Sequence, residues 1–469
     1  MKPVLSARRR VLVLAICCLS LFIVGLDNTI VNVALPSMQR DLDATLSGLQ
    51  WIIDAYTVVL AGLLMLSGST GDRFGRRRTF QLGLVLFTVG SLVCSLAPDL
   101  GWLVAARVLQ AIGGSMLNPV AMSIITNTFT DPRERARAIG AWSAVIGVSM
   151  ALGPVLGGVL VESVGWRSIF WINIPIGLAA LLLCALFVPE SRAPRPRAFD
   201  PIGQALVMLL LLALTYGIIE APSTGWTSPQ TLVCAALALA ALATLVPYEL
   251  RRPEPLINPR FFRSAPFAGA TLIAISAFAA LAGFLFLNTL YLQQVRGFSA
   301  LHAGLLTLPM ATMTIVCAPL SGRLVGTVGP RAPLVVAGVT MTASALVLTS
   351  LTDTTPVWQL MIAYVLFGLG FGMVNAPITN AAVSGMPRAQ AGVAAAVAST
   401  SRQVGQSLGV AVIGSLVLSA DADFAVASRV GWWVAAGCGV AVLLLGILTT
   451  GRWAAGTAER TAARLHDGP

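Results

Sequence analysis

The chain has 469 residues, of which 57% are hydrophobic and only 10% are charged, and its formal net charge is +11. Apolar stretches of 18 or more residues recur along its whole length, which excludes an ordinary soluble protein and indicates a membrane protein with many spans. The basic residues are spread over separate short loops, so they favour topology and attraction to lipid over nucleic-acid binding.

Fourteen apolar runs, separated by charged or Pro/Gly-rich breaks, predict fourteen transmembrane helices. The predicted spans are 11–35, 48–70, 79–97, 101–126, 136–161, 168–188, 202–220, 230–248, 266–292, 302–322, 332–351, 357–379, 393–418 and 431–450. We interpret the first run as an uncleaved span and not as a secretory signal, because its apolar core is long and no small-residue cleavage site precedes Pro36.

Basic residues predict the orientation of these spans. Of the 30 Lys and Arg residues, 24 lie in the N-terminus, in the loops after even-numbered spans, or in the C-terminus. The opposite loops carry only Arg40, Arg167, Arg296 and Arg429. By the positive-inside rule we expect both termini to be cytoplasmic.

Residue types that support other chemistries are scarce. The only lysine is Lys2, so a GxxxxGK[ST] phosphate-binding loop cannot occur and direct use of ATP is not expected. The seven cysteines form no CxxC pair and there are two histidines, which predicts neither a metal site nor a disulfide framework. We therefore expect no cofactor and no enzymatic activity, and any transport would draw on an ion gradient.

The chain repeats itself at an offset of 254 to 257 residues. The matches are LSGSTGDRFGRR (66–77) with LSGRLVGTVGPR (320–331), VLQAIGGSMLN (108–118) with VLFGLGFGMVN (365–375), and LGPVLGG (152–158) with LGVAVIG (408–414). They predict a six-span bundle at 1–200, two inserted spans at 201–265, and a second bundle with a cytoplasmic tail at 266–469. Parallel repeats of this kind are typical of transporters whose halves rock about a midplane site.

Two short segments have patterns that structure or function could explain. In GDRFGRRR (71–78), the arginines anchor the topology, while Asp72 can pair with them and latch the cytoplasmic side. In span 5, small residues recur at Gly140, Ser149, Gly153 and Gly157, and Pro154 follows Gly153. Positions 149, 153 and 157 share one helical face, which fits either ordinary packing against another helix or a rocking interface.

Three ionisable residues within spans are candidates for a proton site. Asp27, Asp54 and Arg107 all lie about 9–12 Å below the outer membrane boundary at 1.5 Å per residue, so they could meet. Intramembrane ionisable residues are costly and functional by default, although a structural ion pair with Arg107 is the alternative for Asp27. Asp54 could equally face outer water. Gln110 shares a helical face with Arg107.

Several motifs in the same order resemble the fourteen-span drug:proton antiporters of the major facilitator superfamily, EmrB/QacA type. They are LDNTIVNVALP, GDRFGRRR, RVLQAIGGSM, GPVLGG, WRSIFWINIPIG and SRQVGQSLG, and the resemblance runs from about residue 10 to 450. It implies an all-α integral membrane protein with the major facilitator fold, built from two six-helix bundles plus two inserted helices.

The resemblance also implies roles for single residues. Asp27 would belong to the span 1 site, Arg107 to proton transfer, Asp72, Arg73, Gly75, Arg76 and Arg77 to a gating loop, and Gly153 and Pro154 to the antiporter motif. To these we add Asp54 at the proton site, Gly68 in the gating loop, and Gly140, Gly157 and Gly158 in the motif. Ala111 and Ser149 stand where the family usually has glycine. Spans 10 and 13 contain no acidic residue, so efficient export of dications is not expected.

The expected function is proton-coupled export of lipophilic drugs or an antibiotic by alternating access. Burial disfavours the charged form of Asp27 and Arg107 favours it, so a cationic or bulky drug would shift this balance and release a proton. Expected substrate contacts are Asn28, Asn32, Tyr56, Gln110, Phe284, Phe286 and Met310. The expected partners are the drug, protons and membrane lipid, without nucleic acid, and we expect a monomer.

Two other classes of function remain open. An uptake symporter of a small metabolite uses the same fold, but it usually needs several fixed polar groups for a hydrophilic substrate. A non-transporting receptor or channel would usually have a sizeable soluble domain or a ring-forming pore. Arginine outnumbers lysine 29 to one, which is compatible with an actinomycete self-resistance exporter as well as with a broad multidrug pump.

Overall fold

A computed structural model describes residues 6–193, 198–384, 386, 391–420 and 423–466. These residues form seventeen α-helices and, within the same ranges, no β-strand. The helices are α1 (Ala7–Asp41), α2 (Leu46–Phe74), α3 (Arg76–Ser95), α4 (Leu100–Thr128), α5 (Pro132–Ser163), α6 (Ser168–Trp171), α7 (Asn173–Phe187), α8 (Pro201–Thr224), α9 (Pro229–Arg251), α10 (Ala265–Leu290), α11 (Ala300–Leu306), α12 (Leu308–Val328), α13 (Arg331–Leu348), α14 (Val357–Val383), α15 (Ala391–Ser419), α16 (Phe424–Leu448) and α17 (Arg452–His466). Lys2 and residues 194–197 of the predicted linker lie outside the described residues.

Most of these helices are membrane spans by length and composition. Among the described residues, thirteen helical segments are long and apolar enough to cross a membrane, with α6–α7, α10 and its π-helical end, and α11–α12 each counted as one. The predicted span 393–418 coincides with α15, a further helix of 29 residues. The last helix, α17, lies in the predicted cytoplasmic tail, where the sequence analysis predicted no helix.

Proline shapes several of the spans. Helix α1 continues through Pro36 to Asp41, six residues past the predicted span, because one proline removes a single backbone hydrogen bond. Spans 6 and 10 are each broken into two helices, at Ile172 and at Thr307. A proline then lies in the first turn of each second helix, where its missing N–H costs nothing. The first break makes Asn173 the initial residue of α7.

The chain divides into two compact units by its internal contacts. One unit is Met1–Pro201 with Ser299–Leu305, and the other is Ile202–Phe298 with Leu306–Pro469. In the first unit α1 packs on α5, α2 on α4, and α3 on both α4 and α7. In the second, α10 packs on α15, α12 on α14, and α13 on both α14 and α16. Each bundle therefore pairs its first span with its fifth, second with fourth, and third with fourth and sixth, as duplicated bundles should.

Candidate proton-coupling site

Four buried polar side chains from three helices form a network around Asp27 of α1 in the first unit. Arg107 Nη1 on α4 donates to Asp27 Oδ2 at 2.5 Å. Gln110 Nε2, also on α4, donates to Asp27 Oδ1 at 2.8 Å, and Asn173 Nδ2 on α7 donates to the same oxygen at 3.2 Å. Ser91 Oγ on α3 accepts from Gln110 at 2.9 Å and from Asn173 at 3.4 Å. These side chains are at most 2% exposed, so the network is closed to water.

Arg107 ties the same network to α2. Its Nε donates to the carbonyl oxygen of Ile52 at 3.2 Å, and its Cζ lies 4.2 Å from the centroid of the Tyr56 ring. Its Nη1 also donates to Gln110 Oε1 at 2.7 Å. A buried guanidinium is tolerated when its donors are satisfied and a carboxylate compensates its charge. Asp27, Ile52 and Tyr56 provide these conditions from α1 and α2.

The sequence predicted that Asp27 and Arg107 could meet and that Gln110 shares a face with Arg107. It did not predict Asn173 or Ser91 as members of this network. Asn173 is 0% exposed, and its Oδ1 has no hydrogen-bond partner among the described residues. The motif WRSIFWINIPIG contains Asn173, and a polar residue next to a helix break in a span was the available signal. Ser91 gave no signal, since single serines are common in membrane helices.

The network provides hydrogen-bond donors for both oxygens of Asp27. Ionised Asp27 receives three hydrogen bonds and forms a neutral pair with Arg107, so the charges compensate in the closed interior. Protonation of Asp27 would leave Arg107 without a counter-ion and weaken the link between α1 and α4. The protonation state of Asp27 is thus tied to the packing of α1.

Asp54 is a second buried carboxylate of the first unit. It is 0% exposed on α2, and its Oδ1 accepts from Thr57 Oγ1 at 3.1 Å. The side chain is therefore buried and not exposed to outer water. Its part in proton coupling stays a prediction.

Helix α1, which carries Asp27, is packed unusually closely against α5. A Cβ atom at Gly153 would lie 2.8 Å from Thr29 Cβ and 3.2 Å from Ile30 N, and one at Gly157 would lie 2.8 Å from Ile30 Cγ1. In the opposite direction, a Cβ atom at Gly25 would lie 3.1 Å from Ser149 Cβ. The small face predicted for span 5 therefore contacts α1, at residues two to three positions from Asp27 in the sequence.

The other two glycines of the predicted antiporter motif differ in the space around them. A Cβ atom at Gly158 would lie 2.6 Å from Leu301 Cα, in the segment Ser299–Leu305 of the same unit. A Cβ atom at Gly140 would meet no described atom within 4 Å. Pro154 is internal to α5, which continues to Ser163. The close approach is therefore confined to the second half of α5.

The loop between α2 and α3 is fastened to the segment that follows α7. Asp72 Oδ1 accepts from Arg76 Nε at 3.0 Å and from Nη2 at 2.8 Å. The backbone N–H of Arg76 donates to the Ser191 carbonyl at 2.9 Å, and that of Ala193 donates to the Asp72 carbonyl at 3.1 Å. The Asp72 pair foreseen from the sequence is thus part of a backbone-linked clasp.

Glu190 completes this clasp and was not predicted. Its Oε1 accepts from the backbone N–H of Arg77 at 3.1 Å and from that of Ser191 at 2.9 Å. Gly75, which joins α2 to α3, has φ +116°, and a Cβ atom there would lie 2.7 Å from Glu190 Oε1. Gly68 has more room, with Pro119 Cβ at 3.6 Å from such an atom. Arg73 is exposed beside the clasp.

Comparison with known proteins identifies the family. The family model described as Major Facilitator Superfamily matches residues 17–410. The chain belongs to the major facilitator superfamily. It is 37% identical over 410 residues to the multidrug resistance protein Stp of Mycobacterium tuberculosis, covering 87% of this chain and 76% of that protein. It is 40% identical over 402 residues to the tetracenomycin C resistance and export protein of Streptomyces glaucescens. This match covers 85% of this chain and 74% of that protein.

A solved crystal structure of another protein has the same fold as this chain. The crystal structure of a D-xylose-proton symporter superimposes with a TM-score of 0.68 and covers 94% of this chain and 98% of that one. The sequence identity is 15%, so this likeness concerns the fold alone. The all-helical major facilitator fold predicted from the sequence is therefore confirmed, and the protein is a multi-pass membrane protein.

Within this superfamily fold, the predicted substrate residues of the first unit lie in or near the polar network. Gln110 belongs to the network, and Tyr56, under the Arg107 guanidinium, is 0% exposed. Asn32 is 6% exposed and donates to the Asn28 carbonyl at 3.1 Å, while Asn28 is half-buried. Their role in substrate binding stays a prediction.

The predicted substrate residues of the second unit are packed side chains. Phe284 stacks on Phe367 with ring centroids 4.2 Å apart and meets Tyr364 edge-on at 5.3 Å. Phe286 is 0% exposed and Met310 is 3% exposed. Contact with a substrate would need a rearrangement of these side chains, and it likewise stays a prediction.

Proposed function

We propose that the protein is a proton-coupled antiporter that exports lipophilic drugs or an antibiotic across the bacterial cytoplasmic membrane. The observation that carries the proposal is the buried pair of Asp27 and Arg107, linked across α1 and α4 by a 2.5 Å contact. The resistance and export functions in the names of the two relatives support drugs as the substrate class. The motif order supports the fourteen-span EmrB/QacA type.

Asp27 is the coupling carboxylate in this proposal. A proton from outside neutralises Asp27 and weakens its hold on Arg107, and loss of the proton to the cytoplasm restores the pair. An intramembrane charge is expensive without its partner, so the two protonation states favour different packing of α1 against α4. The membrane potential contributes about 2.3 kcal/mol per proton charge per 100 mV.

Helix α1 is well suited to transmit this change. Gly25 and Thr29 flank Asp27 by two residues on either side, and both face α5. Interlocked helices shift between discrete packings and do not deform continuously, so a small change at Asp27 would be passed to α5. The glycines of α5 act here as the rocking seam.

The clasp between the α2–α3 loop and residues 190–193 has the gating role. It holds α2, α3 and the end of α7 together on one side of the bundle through Asp72, Arg76 and Glu190. The distribution of basic residues supports the cytoplasmic side for this clasp and for both termini. The three-part domain division and the monomeric state belong to the same proposal.

The test uses inside-out membrane vesicles with an imposed, acid-interior proton gradient. Substrate-dependent collapse of the gradient is measured against a panel of lipophilic cations, neutral antibiotics and aromatic acids. We expect wild type to collapse the gradient with at least one compound, and Asp27→Asn to abolish this response. Asp353→Asn, at an exposed turn residue of the second unit, is the matched control and should behave as wild type. Full substrate-driven proton exchange in Asp27→Asn would refute the coupling role.

A further inference from the structure

A second arginine lies deep within a span of the second unit. Arg402 is the twelfth residue of the 29-residue helix α15, so about 16 Å of helix separates it from the nearer end at 1.5 Å per residue. Arg402 is half-buried, and its guanidinium extends to Thr379, an exposed residue four positions before the end of α14.

Arg402 differs from Arg107 because no carboxylate of the described residues forms an ion pair with it. From residue 265 to 420 the sequence contains a single carboxylate, Asp353, in the turn between α13 and α14. Helix α14 contributes Thr379, more than 20 residues from that turn, to the surroundings of Arg402. A cation kept in a span without a carboxylate is costly and functional by default.

The side chains around Arg402 have hydrogen-bonding capacity to spare. Its Nη2 donates to Thr379 Oγ1 at 2.7 Å, while its Nε has no hydrogen-bond partner in the described ranges. Gln406 lies one helical turn further along the same face of α15, and no hydrogen bond joins its amide to another described side chain. The Phe278 ring centroid is 6.0 Å from Arg402 Cζ. Thr379 Oγ1 donates its own hydrogen to the Asn375 carbonyl at 3.0 Å, so it orients Arg402 and has no hydrogen to spare. A guanidinium and an amide beside an aromatic ring are suited to an aromatic acid.

We propose that Arg402, oriented by Thr379 and assisted by Gln406, binds the anionic group of a lipophilic acid, such as an aryl carboxylate, that this transporter exports. The inference rests on the proposed export function and narrows its substrate class from drugs in general to acids. The substrate carboxylate takes the place of the missing counter-ion, and Phe278 contacts its ring. A lipophilic cation would instead be repelled by Arg402.

Proton exchange is well matched to an anionic substrate. Asp27 and Arg107 form a neutral pair, so the first unit does not repel an acid. A proton that moves inward and an anion that moves outward are both driven by a membrane potential that is negative inside. Export of a monoanion would therefore be more strongly driven by the potential than export of a neutral compound.

The experiment measures equilibrium binding to the purified full-length chain in a neutral detergent at pH 7. The probes are 9-anthracenecarboxylate, which is ionised at this pH, and its methyl ester, which has the same ring without the charge. We expect the acid to bind at least about tenfold more tightly than the ester, as a charge-assisted contact should provide. Arg402→Gln should abolish this difference, and Arg402→Lys should keep most of it. No proton gradient is involved, so a failure of proton coupling leaves this result unaffected.

Controls distinguish a binding role from a structural one. Arg429→Gln removes an exposed arginine of the same unit and should change neither affinity. Arg402→Gln should melt no lower than wild type, because it removes a charge that has no counter-ion. If that variant does not fold, Gln406→Leu keeps the charge and should still weaken acid binding about threefold.

Several outcomes would overturn the proposal. They are equal affinity for acid and ester, absence of binding by the acid, an unchanged preference in Arg402→Gln, and an unchanged acid affinity in Gln406→Leu. Displacement of the acid by phosphatidylglycerol would assign Arg402 to a lipid headgroup and overturn the substrate role. Failure of this lipid to compete supports the subsite.

Discussion

Asn173 Nδ2 donates to the same Asp27 oxygen that Gln110 contacts, while its own Oδ1 has no hydrogen-bond partner in the described part of the chain. The two side-chain amides therefore differ in how firmly their orientation is fixed. Gln110 Oε1 accepts from Arg107 at 2.7 Å, which fixes the orientation of that amide. Asn173 can rotate and present Oδ1 to a protonated Asp27. Of the two amides, Asn173 is the one whose oxygen is available to accept from the hydroxyl of a protonated Asp27.

Asn173→Leu should therefore slow proton-coupled exchange without abolishing the Asp27–Arg107 pair. Loss of one buried hydrogen bond during the change between the two protonation states corresponds to about 1 kcal/mol, so we expect turnover to fall about fivefold. The measurement is substrate-driven proton release from proteoliposomes. Ser91→Ala removes a network member that does not touch Asp27, and its effect should be smaller. Equal effects of the two variants would contradict the two-state role of Asn173.

Asp27→Asn should lower stability more than Asp27→Asn combined with Arg107→Gln. The single variant leaves a buried guanidinium without its carboxylate, a change that costs about 3–5 kcal/mol in comparable buried pairs. The double variant removes both charges, so its melting temperature in detergent should recover most of the loss. Proton exchange should be absent from both. A double variant as unstable as the single one would mean that the pair is not the main source of the effect.

The sequence was sufficient to bring Asp27 and Arg107 together. Both charges are conspicuous in apolar spans, and counting residues from the span ends placed them at similar depth. The structure joins them, although α1 extends to Asp41 and thus well past the predicted span. Helix identity and order were also predictable, because apolar length and duplicated motifs are properties of the chain itself.

The sequence was not sufficient for residues that act only through distant contacts. Asn173 and Glu190 are 146 and 113 residues from Asp27 and Arg77, the residues that they bond to. Neither belongs to a periodic pattern, and Glu190 lies in a linker where a charge is ordinary. The helix that packs against the small face of α5 could not be predicted either. The spacing of small residues shows that another helix can approach closely, but it does not show which one.

Gly153→Ala should disrupt the seam between α1 and α5. The new Cβ atom would lie 2.8 Å from Thr29 Cβ and 3.2 Å from the backbone nitrogen of Ile30, and the latter cannot rotate away. Overpacking of this kind costs about 1–3 kcal/mol, so we expect drug-driven proton exchange to fall about tenfold or more. Gly140→Ala, in the same helix but without a described neighbour within 4 Å, is the control and should transport normally. If both variants transported equally well, the seam would not limit transport.

Gly75→Ala should impair export while Gly68→Ala should not. Gly75 has φ +116° and ψ 131°, a conformation essentially restricted to glycine, and an alanine there costs about 1–3 kcal/mol. Its Cβ atom would also press on Glu190 Oε1 at 2.7 Å, the acceptor that holds the Arg77 N–H. The check is export by intact cells at matched expression, where we expect about a tenfold loss for Gly75→Ala. Glu190→Gln keeps the acceptor oxygen and should stay close to wild type, whereas Glu190→Leu should resemble Gly75→Ala. Normal export by Glu190→Leu would show that the clasp does not control the transport cycle.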